Sequence, residues 1–135
     1  MTDSQFLAQL RSHFSSTQWP SINAVECSAT QCTLQLFIAA DMHWLTGHFP
    51  QQPVVAGVVQ THWASEIAKY VFAPGDDFIR IDNLKFQQVI LPEQHLQLRL
   101  DCVPTFAPTP TIAIKFCYSQ GETIFSEGKL TFNTQ

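Results

Sequence analysis

The chain has 135 residues, of which 45% are apolar and 13% charged, and its formal net charge is −4. That length suits one domain, taken as residues 1–135, with room for a real core, and the 7 Lys and Arg form no basic run, which argues against nucleic acid as a partner. No apolar stretch approaches the roughly 20 residues that span a bilayer, and the N-terminus, MTDSQFLAQLRSHF, lacks the basic start and apolar centre of a signal peptide.

These features lead us to expect a cytoplasmic protein. So low a charged fraction also suggests surface hidden in an oligomer. The four cysteines, Cys27, Cys32, Cys102 and Cys117, fall in strand-like segments without zinc-type spacing. They are expected to be reduced residues of the core.

In chain order, Asp3 to Phe14 reads as an amphipathic helix, with Phe6, Leu7, Leu10 and Phe14 at helical spacing and Thr2 or Asp3 as its cap. Trp19-Pro20 marks the exit. Ser21 to Ser28 and Thr33 to Ala39 read as a strand hairpin, the second strand alternating Leu34, Leu36 and Ile38 with Thr33, Gln35 and Phe37. A loop and a helix follow, from Trp44 to Tyr70.

Beyond the turn cluster Pro74-Gly75-Asp76-Asp77 the pattern is all strand. Phe78 to Ile90 is a long segment with a bend at Asp82-Asn83, and Leu91 to Gln94 is a turn. Leu96, Leu98 and Leu100 alternate with Gln97, Arg99 and Asp101, and Ile112, Ile114 and Phe116 repeat that period. Gln120-Gly121-Glu122 turns the chain into a last strand, Ile124 to Phe132. Segregated strands joined by turns predict an α+β fold: an antiparallel sheet of five to six strands around one long central helix.

The stretch WLTGHFPQQPVVAGVVQTHWASEIAKY, residues 44–70, organises the rest. Gly47 and Gly57 permit close approach of backbone to a ligand, and Pro50 and Pro53 stiffen the loop between them. A helix starting near Gly57 presents unpaired N–H groups and a partial positive charge. His48 in that loop has the chemistry of an acid or base near neutral pH.

At about 100° per residue, Val58, Thr61, His62, Ser65, Glu66 and Lys69 share one arc of the helix, and Val59, Trp63, Ala64, Ile67, Ala68, Tyr70 and Val71 fill most of the rest. Gln60 falls in the apolar arc, where a buried amide must find partners: either it binds sheet backbone or it lines a pocket. His62 and Glu66 stand one turn apart, either as a solvated pair or as an imidazole oriented and kept charged by a carboxylate.

These residues resemble the hotdog-fold β-hydroxyacyl-acyl-carrier-protein dehydratases of the FabA/FabZ kind. Gly47-His48-Phe49-Pro50 matches that family's GHFP loop. Pro53-Val54-Val55-Ala56-Gly57-Val58 matches the segment that opens its buried helix, with Ala56 in place of a proline. Leu84 to Pro92, LKFQQVILP, looks like its Lys/Arg-Phe strand and the turn after it. The resemblance runs through residues 19–132. Gln60, with Trp63 after His62, looks most like the ApeI-like dehydratases of aryl-polyene and related lipid-like pathways. The family's acidic residue, five positions beyond the glycine, is here His62, and the carboxylate stands one turn further on at Glu66.

The resemblance implies elimination of water from a 3-hydroxyacyl thioester on an acyl carrier protein, in fatty acid, aryl-polyene or related lipid synthesis. His48 would remove the α-proton, the Gly57 N–H would bind the thioester carbonyl, and His62 would hold or protonate the departing hydroxyl with Glu66 behind it. The acyl chain would run in a tunnel walled by Phe49, Val58, Trp63 and Phe86. No metal or organic cofactor is implied, and a homodimer with shared sites is. A hotdog acyl thioesterase and a non-catalytic acyl-binding subunit of a lipid synthesis complex are the alternatives.

Overall fold

The computed structural model describes residues 2–42, 54–73, 77–105 and 111–133. Helix α1 (Asp3–His13) leads to the strands β1 (Ser21–Cys27) and β2 (Gln31–Phe37), the long helix α2 (Gly57–Phe72) and then β3 (Asp77–Phe86), β4 (His95–Thr105), β5 (Thr111–Gln120) and β6 (Thr123–Asn133). The strands form one sheet in the order β1-β2-β4-β5-β6-β3, and every neighbouring pair is antiparallel. The chain leaves β2, passes through α2 and returns as β3 on the far edge, so α2 is carried across one face of the sheet.

Alternation fixes which face that is. Leu34 and Leu36 on β2, Leu98 and Leu100 on β4, Ile114, Phe116 and Tyr118 on β5, and Leu130 and Phe132 on β6 are all buried in one core. Their intervening neighbours Arg99 and Lys115 are exposed, as the period of two requires. Helix α2 answers with Val59, Gln60, Trp63, Ala64, Ile67 and Ala68, and its outward arc carries His62 and Glu66. Helix α1 starts in a capping box, with Thr2 Oγ1 accepting from the Gln5 N–H and Gln5 Oε1 from the Thr2 N–H. It closes one end of the core with Leu10, and Phe14 follows at its C-terminal cap.

Two expectations are revised. The β3 segment ends at Phe86 rather than Ile90, and its bend is a slip of register between Asp82 and Lys85, with Asn83 in the left-handed region at φ 55°. The cysteines are not all reduced: Cys27 and Cys32 form a disulfide across the β1–β2 hairpin, and Cys102 and Cys117 are free and half-buried. Cys27 and Cys32 are the last paired residues of the ladder, just before the bond from the Ser28 N–H to the Gln31 carbonyl. Their Cα atoms are 4.1 Å apart, the close spacing of a non-hydrogen-bonded cross-strand pair.

Candidate active site

The start of α2 is anchored through the segment that follows β3 and through β6. After β3, the Gln87 and Gln88 N–H groups both donate to the Phe125 carbonyl, which folds the chain back over β6. That brings the Ile90 carbonyl to the Val55 N–H at 2.8 Å and so fixes the residues just before the helix. The Ala56 carbonyl accepts from the Val59 and Gln60 N–H groups, each at 3.1 Å. Gly57 and Val58, in the first turn, have no helical acceptor for their N–H groups by the geometry of a helix start. Among the described residues no side chain caps this end, and such donors and the helix dipole suit an anionic or carbonyl ligand.

Gly57 lets an aromatic ring lie against the helix start. A Cβ at this position would stand 2.7 Å from Cζ of Phe86, whose ring lies across the helix start from β3. Phe86 is 51% exposed and Val58 is 74% exposed. Two residues expected to wall a tunnel therefore form an open apolar surface beside the Gly57 amide on this chain.

Gln60 resolves its two alternatives. It is buried, its Nε2 donates to the Val55 carbonyl at 3.0 Å, and its Oε1 accepts from Ser126 Oγ at 2.6 Å. Its own carbonyl accepts from the Tyr118 hydroxyl at 2.8 Å. The amide thus ties the pre-helix segment to β6 through a carbonyl and a hydroxyl rather than through sheet backbone. Burial pushes the Tyr118 phenol far above its ordinary range, so it remains a neutral donor. Trp63 is fully buried, its indole N–H donating to the Gln18 carbonyl at 2.8 Å. In this chain Trp63 is a core residue.

His62 lies exposed on the outward arc and stacks on the Trp19 indole, with ring centroids 5.3 Å apart and planes 23° apart. The Glu66 carboxylate sits 3.2 Å from Lys69 Nζ. His48 and Phe49 lie outside the described residues. The structure therefore brings Gly57, Val58 and Phe86 together at the helix start, with Gln60 beneath them, and places His62 and Glu66 along the outward face of the same helix. Sequence reading missed Ser126, Tyr118 and Trp19. Ser126 was within reach, because it shares the inward parity of Leu130 and Phe132 and is polar among apolar neighbours.

A surface cavity of about 400 Å³ lies on the sheet and is lined by none of these residues. No group of residues suited to a metal ion occurs among the described residues.

One long helix laid across the inner face of an antiparallel sheet, with a close glycine at its N-terminus, defines a hotdog-fold protein. The same fold recurs in zebrafish thioesterase superfamily member 2, which superposes with a TM-score of 0.67 over 100% of this chain and 99% of that one at 7% identity, a likeness of fold alone. The family model for the ApeI dehydratase matches residues 24–129, and the chain belongs to this ApeI-like family. It is similar to a chain of the dehydratase heterocomplex ApeI:P from Xenorhabdus doucetiae, at 27% identity and a TM-score of 0.74 over 85% of this chain and 99% of that one. It is also 31% identical over 72 residues to the bifunctional enzyme LpxC/FabZ of Bacteroides thetaiotaomicron, a match that takes in 47% of this chain and 16% of that protein's length.

Proposed function

We propose that the protein is a 3-hydroxyacyl-[acyl-carrier-protein] dehydratase acting in fatty acid, aryl-polyene or related lipid biosynthesis. The observation that carries this reading is the ApeI-like match through residues 24–129, which includes the whole GHFP-to-Gly57 block and all of α2. In the proposed reaction His48 takes the α-proton of the bound thioester. The electron pair moves towards the carbonyl, whose developing charge is met by the Gly57 N–H and the α2 dipole. The β-hydroxyl then leaves as water with a proton from His62, giving the trans-2-enoyl thioester.

The exposure of Val58 and Phe86 supports a site completed by a second subunit, which would turn that open surface into one wall of the acyl tunnel. Acyl carrier protein is the proposed substrate carrier, and the cytoplasm the proposed compartment. No described helix is long and apolar enough to cross a membrane.

A second reading is a non-catalytic acyl-binding subunit. It is favoured by His62 standing where the family carries an acidic residue, and by the ApeI:P relative being a heterocomplex. Incubation with a panel of 3-hydroxyacyl carrier proteins, followed by intact mass, separates the readings. Loss of one water from the acyl group supports the dehydratase, release of the free thiol supports a thioesterase, and an unchanged mass with retained acyl binding supports the second reading.

A further inference from the structure

We propose that the outer face of the sheet, on the side away from α2, carries a binding site for a free phosphate-class anion, built by Lys85, Lys115 and Lys129. The inference is independent of the dehydratase reading. The strand register sets two rows of outward side chains. In one, Asp101 faces Lys115, Lys115 faces Lys129, and Lys129 faces Asp82; in the other, Arg99 faces Cys117, Cys117 faces Glu127, and Glu127 faces Lys85. Two lysines directly opposite each other on neighbouring strands repel.

The acids at the ends of that row are shared with other donors. The Asp101 carboxylate accepts from Gln31 Nε2 at 2.7 Å and from Arg99 Nε at 3.1 Å, and Asp82 accepts from Arg80 Nε at 2.8 Å. Among the described residues the ion pairs are these two arginine pairs and Glu66–Lys69, so Lys85, Lys115 and Lys129 take part in none.

The three lysines line one cavity of about 400 Å³ together with Asn83, Asp101, Cys117 and Glu127, a volume within the range of small-ligand sites, roughly 300–1,000 Å³. The cavity sets these three cations against two carboxylates, Asp101 and Glu127, of which Asp101 also pairs with Arg99, in a chain whose net charge is −4. Asn83 reaches the rim because β3 slips register there. Burial, followed by Glu127, raises the Cys117 thiol above its ordinary value, so it offers a neutral S–H rather than a thiolate that would repel an anion. Lysines are mobile point charges with three donors each, and three of them around one concavity suit the charge of a phosphate or pyrophosphate more closely than a monovalent carboxylate.

The test is calorimetric titration of inorganic pyrophosphate, inorganic phosphate and sodium chloride into the intact protein at fixed ionic strength, with amide NMR shifts followed at residues 115 and 127–129. Saturable pyrophosphate binding is expected. It should be weakened about tenfold or more by Lys115→Gln or Lys129→Gln, as befits loss of a charged hydrogen bond, and left unchanged by Arg11→Gln on the distant α1. Heats that match those of chloride, or equal binding by both lysine variants and the wild type, overturn the site. So does Lys115-dependent sedimentation with phosphatidic acid vesicles without pyrophosphate binding, which would make the ligand a membrane headgroup.

Discussion

The Phe86 ring closes over the Cα of Gly57 so tightly that a Cβ there would lie 2.7 Å from Cζ and 2.8 Å from Cε1. This contact couples the edge strand β3 to the amide proposed to bind the thioester carbonyl. Because the obstructing atoms are the far end of a half-exposed side chain, Gly57→Ala can be accommodated by swinging the ring away. Alanine also gains up to about 1 kcal/mol over glycine in a helix. The variant should therefore fold with a melting temperature near that of the wild type, yet lose activity as the ring and the carbonyl pocket shift. Thermal melting alongside turnover checks this, and a Gly57→Ala protein with full turnover would remove the close approach from the mechanism.

Gln60 makes the opposite prediction, a large structural cost. Gln60→Leu keeps the volume but strands the Ser126 hydroxyl and the Val55 carbonyl in a buried place. Each stranded group costs about 1–3 kcal/mol. Chemical denaturation should show a loss of about 2–5 kcal/mol, and the added change Ser126→Ala should restore part of it. Additive losses in the double variant would refute the coupling.

The two cases mark where sequence reading reaches and where it stops. The period of two through Leu96, Leu98 and Leu100, and the arc of α2 holding Val59, Trp63 and Ile67, are local patterns, and each lies where expected. Gln60 could be seen to need partners, but those are Val55 nearby and Ser126 sixty-six residues away. Only the register of β6 under α2 selects the second. The Cys27–Cys32 bond was hidden for a similar reason. All four cysteines read as reduced core residues of strand-like segments, and only the register, with β2 beginning at Gln31 rather than Thr33, pairs Cys32 with Cys27.

That bond carries its own test. It closes a short loop, for which the chain-entropy account gives about 2 kcal/mol. Reduction should lower the melting temperature by several degrees, about 4–8 °C, and add the mass of two hydrogens on intact mass analysis. A protein purified under non-reducing conditions whose Cys27 and Cys32 both alkylate without prior reduction would show that the pair is not bonded in solution.

Apart from Val103 on β4, the exposed large apolar residues among those described lie together. Val58 stands at the helix start, and Phe78, Ile79, Leu84 and Phe86 lie along the edge strand β3, with Val89 just beyond it. An open edge strand with such a surface is a template for pairing. Light scattering should therefore give about twice the 15.2 kDa chain mass, as a homodimer or, with a related subunit, a heterodimer. Val58→Lys together with Phe86→Lys should shift it towards the single chain. A monomer at micromolar concentration in the wild type, with no partner added, would argue against self-association.

The last prediction concerns His62. Its ring rests on Trp19 and faces outward from α2, where truncation should change stability by no more than about 0.5 kcal/mol. If it supplies the proton to the departing hydroxyl, His62→Ala should slow dehydration by about 10²–10⁴-fold with folding intact. His48→Ala should abolish dehydration, since no other group is proposed for the α-proton. Trp19→Ala should fall between the wild type and His62→Ala, because it removes the platform that orients the imidazole but leaves the imidazole itself. Glu66→Gln tests whether the carboxylate serves His62 or Lys69, with which it already pairs at 3.2 Å. A slowed reaction with unchanged melting assigns it to the histidine, whereas full activity leaves it a surface ion pair, which is worth little. His62→Asp places the family's usual acidic side chain back in the helix and should recover part of the rate lost in His62→Ala. Wild-type turnover in His62→Ala would mean that His48 and the Gly57 amide suffice, and that the imidazole stacked on Trp19 takes no part in the chemistry.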